Sequence, residues 1–360
     1  MGLGLRARSH CLAFVGLLAA FSLTAASWDG AEARGARHHG KHSASQEKKH
    51  HVVHGRNYNP PYSAIVVDAN SDKVLHEESP DEPRHPASLT KIMTLYLLFE
   101  QIDAGKFKLD TPLQISSHAA EQNPTKLGLR ANQTITVEDA IKGMCTKSAN
   151  DAAVVVGEAL GGSEDEFAKL MTEKAKALGM EHTVYVNASG LPAEEQITTA
   201  RDQATLGRAV QDRFPKYYRY FSTLSFRYRG KEMRNHNGLL GQVRGVDGIK
   251  TGYTEASGYN LVANVRRDDR HIIAVVLGGK SGAARNERMR QLIEQHILVA
   301  AVKPAAAPAV MQAAGPESAP SNAGAAPALA SSETSPAAKP SRRARISHRS
   351  GSVRAQRVSW

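Results

Sequence analysis

The sequence predicts a mixed α/β (α+β) domain whose sheet joins its two ends. Two apolar hairpin signals, one early and one late, bracket a central stretch with helical spacing. Strands at both ends with helices between them fit a sheet covered by helices. Composition agrees, since 41% of the 360 residues are hydrophobic and 22% are charged. That is enough apolar material for a substantial core, and it excludes a wholly disordered chain.

The elements follow in order. Tyr62 to Asp68 is apolar and β-branched, Ala69-Asn70-Ser71-Asp72 is turn chemistry, and Lys73 to His76 can return as a second strand. From Ser88 to Ile102, the residues Ile92, Leu95, Leu98, Phe99 and Ile102 recur at helical spacing. Asp165 to Leu178 reads as a second helix, with Phe167, Leu170, Met171 and Leu178 on one face. Ser163 and Glu166 form its capping box, and Gly179 is its stop signal. Asn260 to Val265 and His271 to Leu277 flank the turn Arg267-Asp268-Asp269-Arg270. Arg285 to Ala300 reads as the closing helix.

The net charge of +11 is unevenly spread. Residues 1–33 are neutral. Arg34, Arg37, Lys41, Lys48 and Lys49 against Glu47 give residues 34–55 a charge of +4. Lys303, Lys339 and six arginines against Glu317 and Glu333 give residues 303–360 a charge of +6. Only +1 remains for residues 56–302, so the folded part lacks the basic stripe that a nucleic-acid binder needs.

Residues 1–33 read as a secretory signal peptide. Arg6 and Arg8 form the basic start, Cys11 to Ala26 the apolar stretch, and Ala31-Glu32-Ala33 a small-x-small cleavage pattern. Cleavage after Thr24-Ala25-Ala26 competes with it, and an uncleaved anchor is the other reading. Export places the mature chain in the periplasm, and there Cys145 is its only thiol. Residues 34–57 form a spacer with His38, His39, His42, His50, His51 and His54. Imidazoles bind metals, but no carboxylate or cysteine scaffold fixes a geometry here, so a disordered spacer is favoured and no metal is assigned. Residues 58–302 are the expected folded domain. Residues 303–340 form an Ala/Pro-rich linker. Residues 341–360 carry six arginines and no acid, a tail suited either to an anionic membrane surface or cell-wall polyanion, or simply to solvent.

Three short motifs carry chemistry: Ser88-Leu89-Thr90-Lys91, Ser148-Ala149-Asn150 and Lys250-Thr251-Gly252. Residues i and i+3 on a helix are neighbours, so Lys91 can reach the Ser88 hydroxyl. A serine hydroxyl attacks only when a base takes its proton. A desolvated lysine near another cation loses basicity and can serve, and Lys250 is a candidate for that cation. Backbone N–H groups at the helix start suit a developing oxyanion. Ser-x-x-Lys alone arises by chance about once or twice in such a length, and Lys-Thr-Gly about once in ten such chains. Ser45-x-x-Lys48 is such a chance match, in the spacer with no apolar helix behind it. The ordered trio is far more specific.

With these residues the chain resembles the low-molecular-weight penicillin-binding proteins, which are serine D-Ala-D-Ala carboxypeptidases. The resemblance runs over about residues 58–297. It includes Pro86 to Thr94, Ser148 to Ala153, the segment with Leu178, Gly179, Met180, Thr183, Asn187, Gly190 and Leu191, and Gly245 to Thr254. It implies a β-lactamase/DD-peptidase-like fold, an antiparallel sheet flanked by helices plus a helical lobe. It implies removal of the terminal D-alanine from peptidoglycan stem pentapeptides, without a cofactor, and inhibition by β-lactam antibiotics. Ser88 would form the acyl-enzyme and Lys91 act as base. Ser148 would relay a proton to the leaving amine, and Asn150 would orient the substrate or Lys91. Lys250 and Thr251 would hold the substrate carboxylate. Gly252 would leave room for a peptide along the strand, and the Tyr253 and Ser88 amides would form the oxyanion hole. A serine β-lactamase is the alternative, but its Glu-x-x-Leu-Asn context is missing, and Glu164-Asp165-Glu166 fits helix capping better. A non-catalytic peptidoglycan-binding scaffold is the other alternative, against which the three intact motifs argue. Cys145 reads as buried filler, and His236 and His271 as structural.

Overall fold

The computed structural model describes residues 58–303. The signal-peptide reading of 1–33, the spacer 34–57 and the tail 341–360 lie outside the described residues, as does the linker beyond Lys303.

Both expected hairpins form. They build one five-stranded antiparallel sheet from β1 (Ser63–Asp68), β2 (Val74–Glu78), β7 (Val246–Thr254), β8 (Gly258–Arg267) and β9 (Arg270–Gly279), in the order β2-β1-β9-β8-β7. β1 pairs with β9, so the sheet does join the two ends of the domain. The β8–β9 turn places Asp268 and Asp269 at positive φ, as a tight right-twisting hairpin requires.

Side chains alternate across this sheet. Ile65, Val262, Ile273 and Val275 enter the larger core, while Ala64, Val66, Leu261, Ala263 and Ala274 enter the smaller one. The larger core lies under α1 (Thr90–Asp103) and α6 (Ala200–Arg213). The smaller lies under α8 (Gly282–His296), which ends before the expected Ala300 and turns at Ile297. With helices on both faces, the central strands are apolar on both sides.

Every residue of α1 from Thr90 to Phe99 is buried, the pattern of a helix enclosed all round. On its other side stands a helical lobe: α2 (Ser117–Glu121), α3 (Val137–Thr146), α4 (Asn150–Gly161) and α5 (Glu164–Ala177), with the short pair β3 (Pro112–Gln114) and β4 (Thr134–Thr136). α5 begins where the sequence placed it. Ser163 Oγ accepts from Glu166 N, but Glu166 turns outward to Lys169, so only half of the capping box forms. A short helix α7 (Pro215–Tyr218) and the hairpin β5 (Ser225–Tyr228) with β6 (Lys231–Arg234) lead back to β7. Among the described residues, no helix is long and apolar enough to cross a membrane.

Candidate active site

The three motifs converge where β7, the start of α1 and the α3–α4 junction meet. Ser88 sits on a single 3-10 turn, Ala87–Leu89, and not at the opening of the long helix as the sequence suggested. That turn is clamped. Asn260 Nδ2 on β8 donates to the carbonyls of His85 (3.0 Å) and Pro86 (3.3 Å). Ala87 stands at φ +49°, a conformation that costs about 1–3 kcal/mol without glycine. Gly190 closes the turn from the other side. Its φ is +85°, and a Cβ there would lie 1.9 Å from the Ala87 carbonyl oxygen.

Lys91 is fully buried. Its Nζ lies 3.1 Å from Ser88 Oγ and 2.7 Å from Asn150 Oδ1, and it also contacts the Ser189 carbonyl. Asn150 Nδ2 donates to the Asn123 carbonyl at 2.7 Å, which fixes its Oδ1 toward Lys91. Burial, then the Lys250 charge, holds the Lys91 ammonium well below its ordinary pKa, although Asp151 and Glu164 oppose this. A neutral lysine has two N–H donors and one lone pair. Asn150 and Ser189 take the donors, so the lone pair faces Ser88 Oγ.

Ser148 occupies the junction before α4 at φ +61°. Its carbonyl accepts from Thr125 Oγ1, and Asp151 collects the amides of Leu127, Gly128 and Leu129, so the neighbouring loop holds the junction firmly. Ser148 Oγ is 2.9 Å from Lys250 Nζ, which also donates to the Thr251 carbonyl at 2.8 Å. Burial pushes Lys250 down to about 7, and Arg285 adds to the push. Gly252 lies against the nucleophile turn, where a Cβ would be 3.1 Å from Pro86 O and from Ser88 N. In the structure this glycine gives room to the nucleophile turn itself.

The cleft above these groups encloses about 440 Å³. Ser88, Ser148, Asn150, Thr251, Gly252 and Tyr253 line it, with Lys91 and Lys250 buried beneath. All eight residues singled out from the sequence thus come together. Sequence reading missed Arg285 and the Ser189 carbonyl. Arg285 is 5% exposed and lines the cleft. Its guanidinium donates to the Asn260 carbonyl and the Asn286 side chain, and burial pushes it down to about 10. It meets no carboxylate among the described residues, so the cleft supplies a cation without its anion. His236, read as structural, also lines the cleft; burial, then the nearby Lys250 and Lys147, push it down to about 4. His271 is structural, its Nε2 lying 2.6 Å from Asn264 Oδ1. Cys145 is buried with its thiol pushed up to about 12, which suits packing and not reactivity. Among the described residues no three His, Cys, Asp or Glu side chains gather to hold a metal. Of the carboxylates weighed for a lactamase, Glu164 accepts from Ala188 N and meets His118, and Glu166 pairs with Lys169.

Fold and cleft together define the class: a domain of the β-lactamase-like fold, with a serine, two buried lysines and a second serine gathered at the edge of its sheet. The chain is similar to penicillin binding protein 5 from Haemophilus influenzae, at a TM-score of 0.63 and 29% identity, over 68% of this chain and 72% of that one. It is also similar to penicillin-binding protein D2 from Listeria monocytogenes in its cefotaxime-bound form, at 0.57 and 30%, over 64% and 95%. Residues 59–281 match the family described as peptidase S11, D-alanyl-D-alanine carboxypeptidase, and the chain belongs to that family. D-alanyl-D-alanine carboxypeptidase DacA of Escherichia coli (strain K12) is 37% identical over 238 residues, which is 64% of this chain. The match spans 59% of that relative's length.

Proposed function

We propose that this chain is a serine D-Ala-D-Ala carboxypeptidase that removes the terminal D-alanine from peptidoglycan stem pentapeptides. The Lys91 amine carries the reading, because its remaining valence points at Ser88 Oγ. Ser88 Oγ attacks the penultimate D-alanine carbonyl as Lys91 takes its proton. The backbone amides of Ser88 and Tyr253 receive the oxyanion. Ser148, held by Lys250, gives its proton to the departing amine and takes in its place the one Lys91 had removed, so D-alanine leaves and Lys91 is again neutral. Water then hydrolyses the ester on Ser88 and restores the hydroxyl. Lys250, Thr251 and the anion-free Arg285 hold the substrate carboxylate, and Asn150 orients Lys91. No metal or nucleotide enters these steps. β-Lactams present a carboxylate and a strained amide in similar geometry and would acylate Ser88; that a relative is solved in a cefotaxime-bound form supports their binding in this cleft.

The flanks extend the proposal. Residues 1–33 direct export to the periplasm, and 34–57 and 303–340 act as spacers around the catalytic domain. The arginines of 341–360 hold the enzyme near an anionic membrane surface or cell-wall polymer, where it trims peptidoglycan and so influences cell shape.

The test is D-alanine release from a pentapeptide ending in D-Ala-D-Ala, using residues 34–360. Wild type should release it, and Ser88→Ala should abolish both release and covalent penicillin labelling. Release by folded Ser88→Ala would refute the nucleophile assignment.

A further inference from the structure

Outside the cleft, two histidines meet from elements far apart in sequence. His76 stands on β2 and His296 ends α8, and their ring centroids lie 5.4 Å apart. The register brings them together. His76 pairs with Val66 and Glu78 with Ala64, so both side chains share the sheet face that carries the smaller core under α8. On α8, Arg288, Leu292 and His296 follow at intervals of four and form one stripe. Leu292 is buried in that core, which turns the stripe toward the sheet.

The contact has two rungs of unlike chemistry. On the first, Arg288 lies 3.6 Å from the Glu78 carboxylate, and its Nε donates to the Tyr62 hydroxyl at 3.0 Å, so that cation is matched. On the second, imidazole meets imidazole. His76 Nε2 is buried and has no hydrogen-bond partner among the described residues. A buried ring nitrogen left unpaired is costly, and an ion that it ligates removes that cost. Burial, then Arg288, holds His76 below its usual pKa, and burial, then His76, does the same to His296. Both rings therefore offer a lone pair near neutral pH. Two imidazoles on one tetrahedral ion, with metal–nitrogen bonds of about 2.0–2.1 Å, hold their centroids about 5 Å apart. The observed spacing fits that arrangement. Rotation about χ2, which is broad in histidine, aims a nitrogen of each ring at the shared point.

We infer that His76 and His296 form a binding site for a divalent transition-metal ion of the zinc class, which ties the edge strand β2 to the end of α8. Two imidazoles fill half of a tetrahedral shell and water completes it, so the affinity is modest. β2 and β7 are opposite edges of the sheet. The ion therefore acts on the stability of the edge remote from the cleft, and not on the chemistry at Ser88.

The experiment follows thermal unfolding of residues 34–360, with Zn²⁺ as the only added metal, beside His76→Asn and His296→Asn. Wild-type Tm should rise by about 2–4 °C once Zn²⁺ exceeds its dissociation constant several-fold. Each variant should lose that rise, whatever its own Tm. Any Zn²⁺ taken by the histidines of 34–57 is common to all three proteins, so the difference isolates the pair. Zinc-edge anomalous scattering from wild-type crystals grown with Zn²⁺ should place an ion between the two rings, a measurement that needs neither variant. A rise that survives both substitutions, no rise at millimolar Zn²⁺, or crystals without an anomalous peak between the rings would overturn the site.

Discussion

Two buried lysines stand under one cleft, and they differ in what surrounds the amine. Lys91 rises from a helix enclosed on all sides, and its two hydrogen-bond acceptors are fixed by the amide of Asn150 and the loop at Ser189. Lys250 rises from β7, and its partners are the Ser148 hydroxyl and its neighbour's carbonyl. Neither makes an ion pair with a carboxylate among the described residues. Burying an unpaired charge is costly, so each lysine is driven toward its neutral form. The packing around Lys91 leaves its lone pair for Ser88. Lys250, near 7, stays largely available as a cation that an incoming carboxylate would stabilise. The comparison shows that one residue type, equally buried, becomes a base or an anion clamp according to which atoms occupy its valences.

Removing each amine in turn is the strongest way to break this comparison. Lys91→Met should slow acylation about 10²- to 10⁴-fold at saturating substrate, the range of a lost general base. Lys250→Met should act mainly on KM for D-Ala-D-Ala peptides. Steady-state kinetics beside single-turnover penicillin acylation would check both, and equal kcat losses in the two variants would erase the distinction.

The clamp on the nucleophile turn offers a smaller effect. Gly190→Ala places a Cβ against the Ala87 carbonyl at φ +85°, whereas Gly105→Ala meets the same kind of strain at φ +73° with nothing within 4 Å. Gly105→Ala should cost about 1 kcal/mol of stability. Gly190→Ala should cost about 2–4 kcal/mol and also slow acylation, because Ser88 moves with its turn. Denaturant unfolding and penicillin labelling of both variants would check this.

Much of this architecture was legible in the sequence. The β1–β2 and β8–β9 hairpins announce themselves by β-branched runs and polar turns, and α1 by its spacing. β7 was less plain, since Asp247, Gly248 and Gly252 break its apolar pattern; its identity came through the Lys-Thr-Gly motif. The β5–β6 hairpin carried a usable signal in Phe226, Tyr228 and Met233 around Arg229-Gly230, but it went unread. α6 was also readable from Thr199 three residues before Asp202, a capping pattern that the structure uses. Other parts left no trace. The Ser189 carbonyl is backbone, and no side chain reports where a loop will present it. Arg285 resembles any helical arginine until the fold buries it beside Asn260. The motif residues were recoverable because their spacing is local, whereas the groups that tune them arrive from distant segments.

The central claim is that Lys91 works as a neutral amine. The direct test is the rate of Ser88 acylation by benzylpenicillin from pH 5 to 10, in wild type and in Lys91→Arg. The depressed Lys91 pKa makes the base form available as pH rises, so the wild-type rate should climb along an acid limb well below pH 10.5. Lys91→Arg keeps a cation that does not deprotonate, so it should lack that limb and react at least about a hundredfold more slowly. A Lys91→Arg enzyme that acylates within tenfold of wild type, with the same acid limb, would contradict the account.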